Sequence, residues 1–220
     1  MEAPEVQKQR RTAPKEVRRR QLIEATISAI SEKGMSGTTM AEVTGRAGLS
    51  AGIVSLHFDG KDDLLKSTLT YLSEELQAAW TPAVNDTSLS AAKRLWAVVD
   101  AAYQPHICTW DKIRVWFAFF GEARYRAFYR DMVGGFDAQR GQALAAFVSE
   151  LAASEGRTDV NAEAMSEALE SMSDGLWLDM MLYPDWMDPP RAQQRLWEYL
   201  SARFPTHFPG DARPGMGAIR

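Results

Sequence analysis

Cysteine and histidine are scarce in this chain of 220 residues, which has one Cys and three His. The single thiol, Cys108, excludes an internal disulfide and is typical of a small buried apolar side chain in a reducing compartment. The three histidines are scattered, without an H-x-x-x-H or H-E-x-x-H spacing, so they indicate no metal site. We therefore expect neither a metal nor any other cofactor.

Long apolar runs are also missing. The first twenty residues are polar and lack the apolar core of a signal peptide. No uninterrupted apolar run approaches the roughly 18 residues that a membrane-spanning helix needs. We expect a cytoplasmic protein without a membrane segment.

The most informative segment runs from Thr39 to Lys61 and predicts two short helices joined by a turn. Thr39 and Glu42 have the spacing of a capping box at the start of the first helix, and Gly48 is a natural end for it. Ser50 can cap the second helix, in which Val54 and Phe58 are expected to face inward. This is the pattern of a helix-turn-helix.

The outward face of the second helix is small and mostly uncharged, which suits close approach to the major groove of DNA. Its expected members are Ala51, Gly52, Ile53 and Ser55. The methyl groups of Ala51 and Ile53 could contact thymine methyls, and the Ser55 hydroxyl can donate or accept a hydrogen bond. For phosphate contacts we expect Thr39, Ser50, His57 and Lys61.

The whole segment resembles the DNA-binding domain of the tetracycline-repressor (TetR) family. The matching positions are Thr39, Ala47, Gly48, Ser50, Gly52, His57, Phe58, Lys61 and Leu64. Two positions depart from the family pattern: Ser55 replaces the usual tyrosine, and Leu56 is apolar where many members have a polar residue. The resemblance implies a homodimeric repressor that binds palindromic double-stranded operator DNA and is released by a small-molecule inducer.

Two interpretations compete with DNA binding. Gly48 to Gly52 fits G-x-S-x-G, so a serine hydrolase with Ser50 as nucleophile is a distant alternative. That motif needs a strand before the serine, and here a capped helix precedes it. The segment could also be an ordinary helical hairpin in an architectural module without DNA affinity.

Charge is distributed unevenly along the chain. The net charge is −4, but residues 1–66 hold 11 Lys and Arg against 9 Asp and Glu, and residues 67–220 hold 14 against 20. Seven cations lie between Lys8 and Arg20, facing only Glu16. Taken alone, such a stretch is more typical of a solvated, flexible tail than of a DNA contact. Beside a helix-turn-helix, we expect it to contact phosphates.

Every other convincing segment is helical, so the predicted fold is all-α. We expect a flexible basic arm at 1–15, the DNA-binding domain at 16–62, a helical regulatory and dimerisation domain at 63–204 and a flexible tail at 205–220. The predicted helices cover 16–33, 62–80, 90–104, 110–123, 125–153, 160–182 and 189–203. Thr81-Pro82 is expected to end the linking helix, and Gly134-Gly135 to kink or break a later one.

Aromatic residues are concentrated in the second half, with ten between Trp96 and Tyr129. Most must belong to the core, but several rings beside a carboxylate can also bind a quaternary ammonium group. The candidate ligand-binding residues are Tyr103, Trp110, Trp116, Phe119, Phe120 and Trp177, with Asp174 as counter-charge.

Four stretches are similar to the choline-responsive betaine-operon repressor (BetI) branch of the same family. They are Arg18 to Ile23, Ser50 to Phe58, Trp116 to Phe120 and Asp174 to Leu178. The similarity implies choline or a related compound as the inducer. A multidrug sensor for aromatic cations, which the same rings would serve, is the alternative within the family.

Overall fold

Helices make up all the regular structure in the computed structural model, which describes residues 14–122, 125–211, 214, 215, 217 and 219. They are α1 (Lys15–Gly37), α2 (Met40–Ala47), a 3₁₀ helix (Ala51–Leu56), α3 (Lys61–Asn85), α4 (Ala91–Ala101), α5 (Trp110–Gly121), α6 (Arg126–Phe128), a π turn (Tyr129–Val133), α7 (Gly134–Ser154), α8 (Ala162–Leu182) and α9 (Pro189–Arg203). The all-α prediction is confirmed. None of the helices in these ranges is long and apolar enough to cross a membrane.

The chain divides into two compact units, residues 1–69 and 70–220. In the first unit, α1 buries an apolar face that includes Leu22, Ile23 and Ile27 and packs on α2. The regular helix is interrupted at Gly34, whose φ of 70° is left-handed, as expected for a C-terminal stop. The basic arm predicted at 1–15 lies outside the described residues except for its last two positions.

Gly48 ends α2 with a φ of 63°, and the next amide, of Leu49, donates to the Thr44 carbonyl at 2.9 Å. Because an L side chain is strained in this conformation, Gly48→Ala should lower the free energy of unfolding of the first unit by about 1–2 kcal/mol. Gly45→Ala, inside α2, should raise it by about 0.5–1 kcal/mol. A Cβ would have open space at both positions, so backbone conformation alone sets the difference.

Hydrogen exchange of amides in the first unit of the full chain measures the change in unfolding free energy for both variants. All seven tryptophans lie beyond residue 69, so tryptophan fluorescence reports the second unit instead. Equal changes in exchange for the two variants would contradict the assignment of Gly48 as a left-handed cap.

The linking helix α3 is longer than predicted. It continues through Pro82 to Asn85, whereas Thr81-Pro82 was expected to end it. The proline removes one backbone donor near the helix end, a position where few bonds remain to be lost. The Thr81 hydroxyl meanwhile donates to the Gln77 carbonyl at 2.7 Å.

Aromatic packing extends the second unit beyond α9, into the segment that was expected to be a flexible tail. Phe204 and Phe208 are fully buried, and the Trp197 indole donates to the Pro209 carbonyl at 3.0 Å. Trp197 also packs edge-on against Phe208 and Trp96, at centroid distances of 5.4 and 5.1 Å. Burial of these rings outweighs the turn-forming composition of residues 205–211.

The predicted helix at 125–153 is divided. α6 leads into the π turn Tyr129–Val133, and α7 begins at Gly134, so the irregular stretch directly precedes the glycine pair at which a kink was expected. α7 then packs along α4 and α8. This arrangement brings α7 and α8 alongside each other where the cavity described below opens.

Candidate nucleic-acid interface and aromatic cavity

Thr39 caps α2 as predicted, because its hydroxyl accepts the amide of Glu42 at 3.2 Å. The reciprocal half of a capping box is absent. The Glu42 carboxylate instead pairs with Lys33 and Arg46, each at 2.7 Å, and the Lys33 hydrogen bond is the main cause of its lowered pKa. Glu42 thus connects α1 to α2.

The second helix of the motif is a 3₁₀ helix, not an α-helix. Ser50 precedes it in an extended conformation, without a capping bond from its side chain. Val54 and Phe58 are 2% and 3% exposed, which confirms that they face the core. Gly52 and Ser55 are exposed, and Ile53 is half-buried.

Arg19 holds this segment in place. Its guanidinium donates to the His57 carbonyl at 2.9 Å and to the Ser67 hydroxyl at 2.7 Å, and it stacks 4.4 Å above the centre of the Phe58 ring. Gln21, half a turn further along α1, donates to the Ala47 carbonyl at 2.7 Å. Arg19 is therefore an internal clamp of the unit.

The remaining interface candidates differ in their exposure. Thr39 and Ser50 are exposed, and His57 and Lys61 are half-buried. His57 Nδ1 is buried and has no hydrogen-bond partner among the described residues, and Lys61 Nζ lies 3.4 Å from the Met35 carbonyl. Of Ala51, only the backbone is described.

The second unit contains a cavity of about 120 Å³. Its lining consists of four aromatic rings, four charged side chains and three smaller residues: Trp116, Phe120, Tyr129, Trp177, Asp137, Arg140, Glu170, Asp174, Leu76, Ala102 and Ser173. The volume is on the scale of the roughly 150 Å³ apolar cavity that accepts benzene. It therefore suits a small molecule.

The four rings form a connected group. Trp116 lies 6.0 Å from Phe120 and 6.5 Å from Trp177 between ring centroids, and Phe120 lies 5.2 Å from Tyr129 in an edge-on arrangement. The Trp177 indole donates to the Ala102 carbonyl at 3.2 Å. Because this donor is occupied within the protein, Trp177 contributes its ring face rather than a polar group to the cavity.

Negative charge dominates the cavity lining. Arg140 pairs with Glu170 at 3.2 Å, and Tyr129 donates to Asp137 at 2.9 Å. The Arg140 charge also lowers the pKa of Asp174, but by less than burial raises it. Partial burial raises the pKa of both Asp137 and Asp174, although both residues remain accessible at the rim. Three carboxylates against one guanidinium favour a cationic ligand.

Four of the predicted ligand residues line this cavity: Trp116, Phe120, Asp174 and Trp177. The other three do not. Tyr103 is buried with its hydroxyl 3.5 Å from the Ser173 carbonyl, Phe119 is buried against Tyr125, and Trp110 is 42% exposed.

The sequence did not identify Tyr129, Asp137, Arg140 and Glu170 as lining residues. They lie on the π turn, α7 and α8, where no motif marks them. The only available signal was the spacing of Asp137 and Arg140, which are three residues apart and so lie on the same side of α7.

No group of potential metal ligands occurs among residues the structure describes. Cys108 has a free thiol whose pKa is raised to about 11 by burial, so it is a poor nucleophile. Ser50 follows a helix, and the described ranges contain no strand, so the strand-to-helix turn of a serine hydrolase is absent from them.

Two family models match the sequence. The model of bacterial regulatory proteins of the tetR family matches residues 22–68, and the model of the BetI-type transcriptional repressor C-terminal region matches residues 91–205. The HTH-type transcriptional regulator BetI 1 of Chromohalobacter salexigens is 32% identical over 203 residues, covering 89% of this chain and 96% of that protein. A BetI regulator of Burkholderia mallei is 34% identical over 188 residues, covering 84% and 93%.

Solved structures show the same fold. A transcriptional regulator of Pseudomonas aeruginosa superposes with a TM-score of 0.74 at 25% identity, covering 89% of this chain and 93% of that one. A transcriptional regulator from Saccharomonospora viridis, solved in complex with choline, superposes with a TM-score of 0.68 at 19% identity, covering 84% and 96%.

Proposed function

The chain belongs to the TetR family of bacterial transcriptional regulators and has a BetI-type C-terminal region, and from this we propose that it senses choline or a closely related quaternary ammonium compound. As a member of that family it is a ligand-responsive DNA-binding repressor, not an enzyme. The ligand and the residues that bind it are the new part of the proposal.

The observation that carries the proposal is the combination of rings and carboxylates in one cavity. A quaternary ammonium group cannot donate hydrogen bonds, so it is held by the negative faces of aromatic rings and by nearby negative charge. Trp116, Phe120, Tyr129 and Trp177 supply the rings, and Asp174, which lines the same cavity, is the proposed counter-charge.

Cavity size supports a small cation over a large one. About 120 Å³ matches a small head group better than a planar dye, so it favours choline over the multidrug alternative. The Saccharomonospora viridis regulator, which shares the fold and was solved with choline, also supports choline as the ligand.

Release from DNA requires the ligand to bind one arrangement of the repressor better than another. α5 carries Trp116 and Phe120 on the same face as Lys112, and Lys112 pairs with Glu75 of α3 at 2.5 Å. Leu76, the next residue of α3, lines the cavity. We infer that ligand binding at α5 shifts α3, which continues in sequence into the first unit.

For the dimer, we infer that α8 takes part in the interface. Its apolar ridge, which includes Met165, Leu169 and Met180, is buried within the chain. The small-residue ridge on the other side includes Ser171 and Gly175, which are exposed in the single chain. Small side chains of this kind allow close approach of a second helix.

Calorimetric titration with choline and with a large planar dye cation tests the ligand, and retention of operator DNA in a gel tests the response. The operator is first obtained by selecting bound fragments from random DNA. We expect choline to bind and to release the DNA, and the dye to do neither. Choline binding without any loss of DNA would overturn the inducer role.

The affinity for choline should fall as the pH is lowered. Burial places the pKa of Asp137 and Asp174 above the ordinary value of 3.8, so both carboxylates become protonated at a higher pH than in the unfolded chain. Each protonation removes negative charge from a site where Glu170, Arg140 and the un-ionised Tyr129 are the other charged or titratable groups.

Choline itself does not titrate, so calorimetry between neutral and mildly acidic pH reports on the protein groups. In Asp174→Asn, binding should be weaker and its pH dependence smaller. An affinity that rises toward acid pH would contradict the role given to these carboxylates.

A further inference from the structure

Leu56 is more exposed than any other large apolar side chain that the structure describes, at 69%. Three residues complete a turn of a 3₁₀ helix, so side chains at i and i+3 lie above one another. Ile53 and Leu56 therefore form an apolar ridge, Gly52 and Ser55 form the ridge beside it, and Val54 faces the core.

A single exposed leucine is ordinary on a protein surface and needs no function. The difference here is its position. It lies in the second helix of the helix-turn-helix, within the residues that match the tetR-family model, and the Gly52 backbone four residues before it is exposed. An apolar ridge at this place is available to the floor of a major groove.

The chemistry of the neighbouring residues restricts what this surface can recognise. From Ser50 to Gly60 the sequence contains no Arg, Lys, Asn or Gln, the side chains that recognise guanine or adenine through paired hydrogen bonds. Among the residues described there, the exposed side chains are those of Ser50, Ser55, Leu56 and Asp59, and those of Ile53 and His57 are half-buried. Within the 3₁₀ helix, the described side chains that face outward are the small hydroxyl of Ser55 and the apolar ridge. On a base edge, the feature that an apolar side chain recognises is the C5-methyl group of thymine.

We propose that Leu56, supported by Ile53, selects thymine in each operator half-site by contact with its methyl group. The inference rests on the proposed function, since it assumes that this segment contacts operator bases. It makes Leu56 a specificity-determining residue and predicts operator half-sites in which at least one thymine is chosen for its methyl group.

The test uses the operator selected from random DNA by the full-length protein, with each thymine replaced in turn by uracil, which lacks only the methyl group. With the unchanged protein, we expect a roughly fourfold loss of affinity at one or two positions per half-site, the effect of losing the burial of one methyl group. With Leu56→Ala, the same replacement should change the affinity by less than about 1.5-fold, so the two changes are coupled.

Two variants serve as controls. Leu56→Met keeps an apolar side chain of similar size and should keep the sensitivity to uracil. Ser55→Ala alters the neighbouring ridge, and it should keep the sensitivity to uracil as well. Because Leu56 is exposed, its replacement should not alter the folding of the unit, and circular dichroism checks this.

The outcomes separate the two proposals. If selection recovers no bound DNA, the proposed function fails. If DNA is recovered and bound, but uracil has the same effect on the unchanged protein and on Leu56→Ala, the proposed function stands and the role of Leu56 is overturned.

Discussion

Replacing Trp116 by leucine is expected to weaken choline binding about 30-fold while leaving operator affinity of the ligand-free protein unchanged, since a desolvated cation–π contact contributes about 2 kcal/mol. Trp116 is central to the ring group because it lies next to both Phe120 and Trp177. Leucine fills part of the space without a π face. Titration calorimetry gives the affinity, and the gel assay gives the concentration of choline needed for release.

The same helix offers a matched control. Trp110 is 42% exposed and does not line the cavity, so Trp110→Leu should leave choline affinity within about twofold of the unchanged protein. Trp116→Phe keeps an aromatic face, so its choline affinity should lie between those of Trp110→Leu and Trp116→Leu. Similar losses in Trp110→Leu and Trp116→Leu would place the ligand elsewhere in the unit.

Arg19→Ala should destabilise the DNA-binding unit by about 2–4 kcal/mol, because two charge-assisted hydrogen bonds and a ring stack are lost together. The His57 carbonyl and the Ser67 hydroxyl lose their donor, and Phe58 loses the cation above its ring. Amide exchange in residues 22–68 should accelerate, and operator affinity should fall in parallel. Choline affinity, a property of the second unit, should not change.

Arg20→Ala is the matched control on the same helix. Its ion pair with Glu24 is exposed, and such a pair contributes only about 0.3–0.5 kcal/mol. Arg19→Lys tests geometry, because lysine keeps the charge but lacks the planar fork that reaches two acceptors. A loss of operator affinity in Arg19→Ala without faster amide exchange would instead indicate that Arg19 contacts DNA directly.

The parts of the fold that follow local rules could be predicted from the sequence. Thr39 is a cap and Gly48 a left-handed stop because each depends on the conformation of only a few residues. Val54 and Phe58 face the core because their burial follows from spacing along one short element. Pro82 is the exception: its local rule predicted the end of α3, but the helix continues through it, because one lost hydrogen bond near a helix end is a small penalty against the packing of the rest.

The cavity could be predicted only in part, because its membership depends on where separate helices meet. Composition identified an aromatic region, and Trp116 and Phe120 are in the cavity, but nothing in the spacing distinguishes them from Trp110 or Phe119. Tyr129 belongs to the aromatic region but was not selected as a lining residue, because a π turn departs from the 3.6-residue period on which helical patterns rest. The buried Phe208 shows the same limit, since burial of a ring depends on a partner such as Trp197.

The π turn Tyr129–Val133 also determines how this binding site could diverge. A π turn accommodates an extra residue relative to an α-helical turn, and each residue of an α-helix rotates the chain by about 100°. Losing one residue there would turn the start of α7, so that Asp137 and Arg140 point away from the cavity and their neighbours replace them. A single deletion or insertion could thus change the charge of the ligand that the protein recognises, without a substitution at any lining position.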